Sequence, residues 1–133
     1  MPQRKNMVYA DANILVRYII NDDEAMANKA EEFINSKTLF VLPEVFAEVV
    51  YVLTKVYGIK RADVADSMLE LLSFVSTTVP EIMKMAFHNY QETKLDFVDC
   101  ILASYAILEN NPILSFNKKL NNFVERKKSE SKF

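Results

Sequence analysis

The run Met7-Val8-Tyr9-Ala10-Asp11-Ala12-Asn13-Ile14-Leu15 is apolar on both sides of one carboxylate, and it constrains this chain more than any other segment. Its first part reads as a short buried strand. An acid directly after such a strand sits where an open parallel sheet hands the chain to a helix, the place where ligand crevices form. Three later acids, Glu48, Asp96 and Asp99, stand at comparable stations. Carboxylates gathered at about 5 Å repel by roughly 3 kcal/mol per pair at an effective dielectric near 20, so a site that collects them expects a divalent cation. Metal-assisted chemistry on a phosphate backbone is the leading expectation.

The pattern along the chain predicts a helix over 24–36 with Ala25, Ala30, Phe33 and Ile34 inward, then a β-prone run over 38–42. Pro43 opens a helix whose stripe is Val45, Phe46, Val49, Val50, Leu53, Val56 and Tyr57, and Gly58 stops it. Further helices are expected over 62–74, 81–92 and 96–109, the last apolar on nearly every side and therefore buried. Brief strands are expected over 75–79 and 113–115, and a helical remainder from 118. Short apolar strands alternating with helices indicate an α/β fold with a short-stranded central parallel sheet covered on both faces. One domain over 1–133 is expected, with its core over about 7–120 and a basic tail over about 121–133.

Several function classes are excluded early. The single glycine, Gly58, lies between helices, so neither a glycine-rich dinucleotide turn nor a P-loop can be built. One cysteine, Cys100, permits no intramolecular disulfide, and one histidine, His88, anchors no histidine-based metal site. No apolar run approaches about 18 residues, and Met1 to Asn6 lacks the apolar stretch of a secretory leader, so a cytoplasmic protein without membrane contact is expected. The net charge of −2 gives no global basic field, but it is unevenly spread: residues 117–133 carry +4 and residues 1–116 carry −6.

Asp11 follows the first expected strand, Glu48 lies in the second turn of the helix after the second, Asp96 and Asp99 open a helix, and Ser115 and Asn117 follow the last strand. All fall at the carboxyl end of the sheet. Each also has an ordinary structural use. Asp11 can close a turn with Asn13, Glu48 lies about 130° from the centre of its apolar stripe and can be a solvated acid, and Asp96 and Asp99 have the spacing of a helix N-cap and its third residue. Four unrelated uses that all place polar groups at one end of one sheet are less economical than a common site. His88 and Cys100 read as surface or packing residues, and Tyr51 and Tyr57, which could stack on bases, read first as core or interface aromatics.

Asp11-Ala12-Asn13, Glu48 within Pro43-Glu44-Val45-Phe46-Ala47-Glu48-Val49, Asp99 within Leu95-Asp96-Phe97-Val98-Asp99-Cys100-Ile101-Leu102-Ala103, and Ser115-Phe116-Asn117-Lys118-Lys119-Leu120 together resemble the motifs of PIN domains. The likeness is to the small stand-alone ribonucleases that act as toxins of VapBC toxin–antitoxin pairs, and it runs from about Val8 to Leu120. The resemblance implies a three-layer α/β/α fold, an Mg²⁺- or Mn²⁺-dependent endoribonuclease, a cognate antitoxin and a homodimer. Position by position it implies that Asp11, Glu48 and Asp99 are the core metal-binding acids, that Asp96 is an auxiliary acid, and that Asn13 and Ser115 orient ligands and water. Lys118 is placed to stabilise the leaving oxygen. Asn117 departs from the pattern, since many relatives carry a fourth acid there; with Asp96 it is expected to help seat a second metal ion, but an amide offers only a neutral oxygen, so that ion is held less tightly. Two alternatives stay open: a catalytically weakened PIN domain that binds RNA or an antitoxin, and a phosphohydrolase of the haloacid dehalogenase type, which wants an acid where Asn13 stands.

Overall fold

The computed structural model describes residues 6–131. The chain forms two compact units, Met1–Pro80 and Glu81–Phe133.

In the first unit β1 (Val8–Tyr9) pairs in parallel with β2 (Leu39–Phe40), Val8 opposite Leu39 and Tyr9 opposite Phe40. The Val8 N–H donates to the Thr38 carbonyl at 2.7 Å and the Ala10 N–H to the Phe40 carbonyl at 3.0 Å. Parallel neighbours need a crossover of a dozen or more residues. Here α1 (Ala12–Ile20) and α2 (Glu24–Asn35) supply it. The short-stranded parallel sheet and its intervening helices are the α/β arrangement expected from the sequence, but β1 is not the buried strand expected: Val8 and Tyr9 are exposed, whereas Leu39 and Phe40 of β2 are buried. The third expected strand, over 75–79, is reduced to one parallel bridge between Phe40 and Ser76. Three hydroxyl residues, Ser76, Thr77 and Thr78, leave it little apolar face, and Pro80 already opens the next helix.

α2 is capped by Asp23, whose carboxylate accepts from the Met26 N–H at 3.1 Å. Its buried face is Ala27, Ala30 and Ile34, whereas Ala25, named above as inward, is exposed and Phe33 is half-buried. Ala25 precedes Ala27 by two residues, roughly 200° around the helix, which takes it off the face. Arg17 on α1 pairs with Asp22 at 2.8 Å, and that hydrogen bond holds the guanidinium above its ordinary pKa.

α3 (Pro43–Tyr51) buries Phe46, Val49 and Val50. It then widens into a π-helical turn over Val52–Val56, closed by the Tyr57 N–H donating to the Val52 carbonyl at 3.1 Å. Leu53 is still buried, but Val56 and Tyr57 are exposed, against the expectation that the stripe continues through them. An i→i+5 turn takes up more than 3.6 residues, so residues beyond it rotate off the α-helical stripe. Gly58, with φ of +67°, ends the segment in a conformation that costs glycine little. α4 (Arg61–Leu72) follows and buries Val64, Ala65, Met68 and Leu71.

The second unit is built from α5 (Pro80–Glu92), α6 (Phe97–Leu108) and α7 (Lys118–Glu130). Phe97 stacks on Phe87 with centroids 4.9 Å apart and meets Tyr90 edge-on at 5.8 Å. A buried polar bond ties two helices: Asn89 Nδ2 donates to Ser104 Oγ at 3.1 Å, while Ser104 Oγ donates to the Cys100 carbonyl at 2.7 Å. Cys100 is buried as a thiol, as its packing role requires. α6 is not buried all round, since Val98, Leu102 and Leu108 are exposed on it. Tyr51 of α3 is likewise exposed, outside the core.

The expected strand over 113–115 does not form among the described residues, where no neighbouring strand offers it a ladder. The basic C-terminal segment is helical through Glu130; its last lysine, Lys132, lies outside the described residues. Among the described residues no helix is long and apolar enough to cross a membrane.

Candidate metal centre

Asp11 leaves β1 and becomes the N-cap of α1, with φ −90° and ψ 171°. Its Oδ1 accepts from the Ile14 N–H at 3.0 Å, which fixes the side-chain rotamer and leaves Oδ2 without a protein donor among the described residues. Its structural partner is thus a helix N–H rather than a turn with Asn13, which stands exposed in the first turn of α1. Glu48 lies in the second turn of α3, after β2, and is exposed beside buried Val49. No described residue gives it a hydrogen bond or a counter-charge.

In the second unit Asp96 occupies the N-cap of α6 with extended backbone, yet its carboxylate makes no capping bond. Asp99, one turn into the same helix, is half-buried, and its Oδ2 accepts from Asn117 Nδ2 at 3.3 Å. Asn117 is the N-cap of α7: its Oδ1 accepts from the N–H groups of Lys119 at 3.0 Å and Leu120 at 3.3 Å. Because two backbone donors need the amide oxygen, the amide nitrogen must be the end that faces Asp99. The Asn117 N–H in turn donates to Ser115 Oγ at 3.0 Å, and Asn121 Nδ2 donates to the Ser115 carbonyl at 2.9 Å. Ser115, Asn117 and Asp99 are therefore joined in one chain of hydrogen bonds. Asn121, which the motifs did not single out, holds its far end. Lys118 and Lys119 are exposed in the first turn of α7.

Each unit offers a cation only oxygens: Oδ2 of Asp11 and the carboxylate of Glu48 in the first, the carboxylate of Asp96 and the remaining oxygen of Asp99 in the second. None is paired with a lysine or arginine among the described residues. Hard carboxylate oxygens are the donor type that divalent ions such as Mg²⁺ take. Two of these acids stand in each unit, and among the described residues no group of three or more His, Cys, Asp or Glu is placed to hold a metal ion. The amide of Asn117, expected as a weak metal oxygen, spends that oxygen on α7 and serves Asp99 as a donor instead. Two clefts lie elsewhere, one of about 420 Å³ against Tyr18, Glu31 and Glu70, the other of about 370 Å³ beside His88 and Lys127, and no acid of this set lines either.

A family model described as PIN domain matches residues 8–125, nearly the whole chain and every residue of the candidate set. No curated protein and no solved structure matches it. The PIN fold is a nuclease fold, generally of metal-dependent enzymes acting on RNA, which typically use divalent ions such as Mg²⁺. Motif order, the parallel strand pair and the extent of this match agree, and the chain belongs to the PIN domain family.

Proposed function

We propose that the chain is an endoribonuclease that hydrolyses RNA phosphodiester bonds with Mg²⁺ or Mn²⁺, working in the cytoplasm as the toxin of a toxin–antitoxin pair and as a homodimer. The observation that carries the catalytic part is the family match over residues 8–125 together with four motif acids that no protein cation neutralises among the described residues. In this reading residues 1–133 act as one catalytic domain. Asp11, Glu48 and Asp99 supply the principal oxygens, with Asp96 auxiliary. A bound divalent ion would supply a water of lowered pKa and a polarised phosphoryl oxygen.

The chain's own groups do the positioning. The Ile14 N–H holds one oxygen of Asp11, and Asn117 Nδ2 holds one oxygen of Asp99, so each acid presents its other oxygen from a fixed rotamer. Asn13 and Ser115 are the polar groups that orient water and ligand, and Lys118 is the cation offered to the leaving oxygen or a neighbouring phosphate. The exposed apolar side chains Val98, Leu102 and Leu108 support an interface with a second copy or an antitoxin.

A cleavage assay on single-stranded RNA tests the catalytic reading. Cleavage is expected with Mg²⁺ or Mn²⁺ and not with EDTA. Asp99→Asn, which still accepts from Asn117 through its amide oxygen, is expected to lower the rate by at least about a hundredfold, beyond what loss of an outer hydrogen bond costs. Cleavage indifferent to EDTA and to Asp99→Asn would falsify it. A second reading, a domain that binds RNA or an antitoxin without cutting, is favoured by the amide at Asn117; tight RNA binding with no cleavage at any metal concentration would establish it.

A further inference from the structure

Among the large apolar side chains of the described residues, two stand almost wholly in solvent: Phe116 at 101 % and Leu114 at 99 % of their full exposure. The other exposed apolar residues keep a large part of their surface covered, the next being Val56 at 69 %. Phe116 makes no ring contact with any described residue, so packing does not account for it. Its position does: it is chain neighbour to Asn117, about 3.8 Å from Cα to Cα, and Asn117 donates to Asp99. On its other side comes Ser115, whose hydroxyl and carbonyl are both hydrogen-bonded, so the short loop carrying the ring is pinned at two points.

We infer that Phe116 is a stacking platform for a nucleobase of single-stranded RNA, next to the phosphate addressed by the Asp99–Asn117 pair. This rests on the nuclease reading and adds to it a binding residue. Charge selects the occupant. Lys118 and Lys119 follow immediately, both exposed and neither in an ion pair with a described residue. A second copy of the chain placed on Phe116 about a two-fold axis would bring these lysines toward their own images. An RNA strand brings a flat aromatic face for the ring and phosphates for the two ammonium groups, the combination by which single strands are held without sequence readout.

The chain contains no tryptophan, so Phe116→Trp introduces the sole one, at a fully exposed position that tolerates substitution. A single-stranded oligoribonucleotide of about twelve nucleotides, titrated in low salt with EDTA to prevent cleavage, is expected to quench that tryptophan. By fluorescence anisotropy of the labelled oligonucleotide, Phe116→Ala is expected to bind about ten- to a hundredfold more weakly. In Mg²⁺ the same variant is expected to raise KM with little change in kcat. RNA binding that Phe116→Ala leaves unchanged, with no quenching in the Phe116→Trp variant, overturns the assignment and leaves the nuclease reading standing. Blue-shifted emission that grows with protein concentration in the absence of RNA also overturns it, since the ring then lies between copies. If the unsubstituted chain neither binds nor cuts RNA, both readings fall together.

Discussion

In the proposed reading Asp11 carries two duties on one carboxylate, and substitution can separate them. One oxygen caps α1 through the Ile14 N–H, and the charge belongs to the proposed metal chemistry. Asparagine caps a helix about as well as aspartate, whereas alanine forfeits the bond at about 1 kcal/mol. Asp11→Asn is therefore expected to unfold in urea at nearly the wild-type midpoint while losing cleavage; Asp11→Ala should lose both. If the asparagine variant is destabilised as much as the alanine variant, the charge has a structural role that the cap does not describe. The station of Asp11 was legible in the sequence, because a carboxylate directly after an apolar strand is rare enough to notice. The job of Asn117 was not. An amide has an acceptor end and a donor end, and only the neighbouring N–H groups of Lys119 and Leu120 decide which end meets Asp99.

At the scale of elements, what could be read depended on whether the signal was local. The helix start at Pro43 was legible, because proline acts through its own backbone. The π-turn over Val52–Val56 was not, because an apolar stripe at α-helical spacing continues through it, and the shift of Val56 and Tyr57 to solvent depends on hydrogen bonds rather than residue type. Strands over 75–79 and 113–115 were overread for a related reason: β-prone composition states only what a segment accepts when a neighbour pairs with it. The bond between Asn89 and Ser104 was equally hidden, since nothing in either residue's local sequence says that the two side chains meet. It makes a clear prediction for the second unit. Ser104→Ala removes the acceptor that satisfies the buried Asn89 amide, and a buried donor left without a partner costs about 1–3 kcal/mol. Urea unfolding is expected to show that loss, whereas Thr77→Val, at a buried hydroxyl that has no partner among the described residues, should cost nothing or stabilise slightly.

For the molecule as a whole, the charge distribution sets how RNA is approached. Residues 1–116 carry −6, and a polyanion is repelled by that surface unless divalent ions neutralise the acids. The attraction is concentrated in residues 117–133, at +4, where Lys118 and Lys119 open α7 beside Asn117. Lys127 is partly engaged with Glu92 at 3.3 Å and Glu130 at 3.7 Å, and Lys128 donates to the Asn111 carbonyl, so they are poorer phosphate partners. Each lysine that pairs with a phosphate of a single strand steepens the logarithmic salt dependence of binding by about 0.7. A double substitution of Lys118 and Lys119 to alanine is thus expected to flatten that slope by about 1.4, measured by anisotropy between about 50 and 200 mM salt. Lys127→Ala should leave the slope nearly unchanged. If the two results are reversed, RNA lies along the distal part of α7, and the loop that carries Phe116 and Asn117 is not where the strand is held.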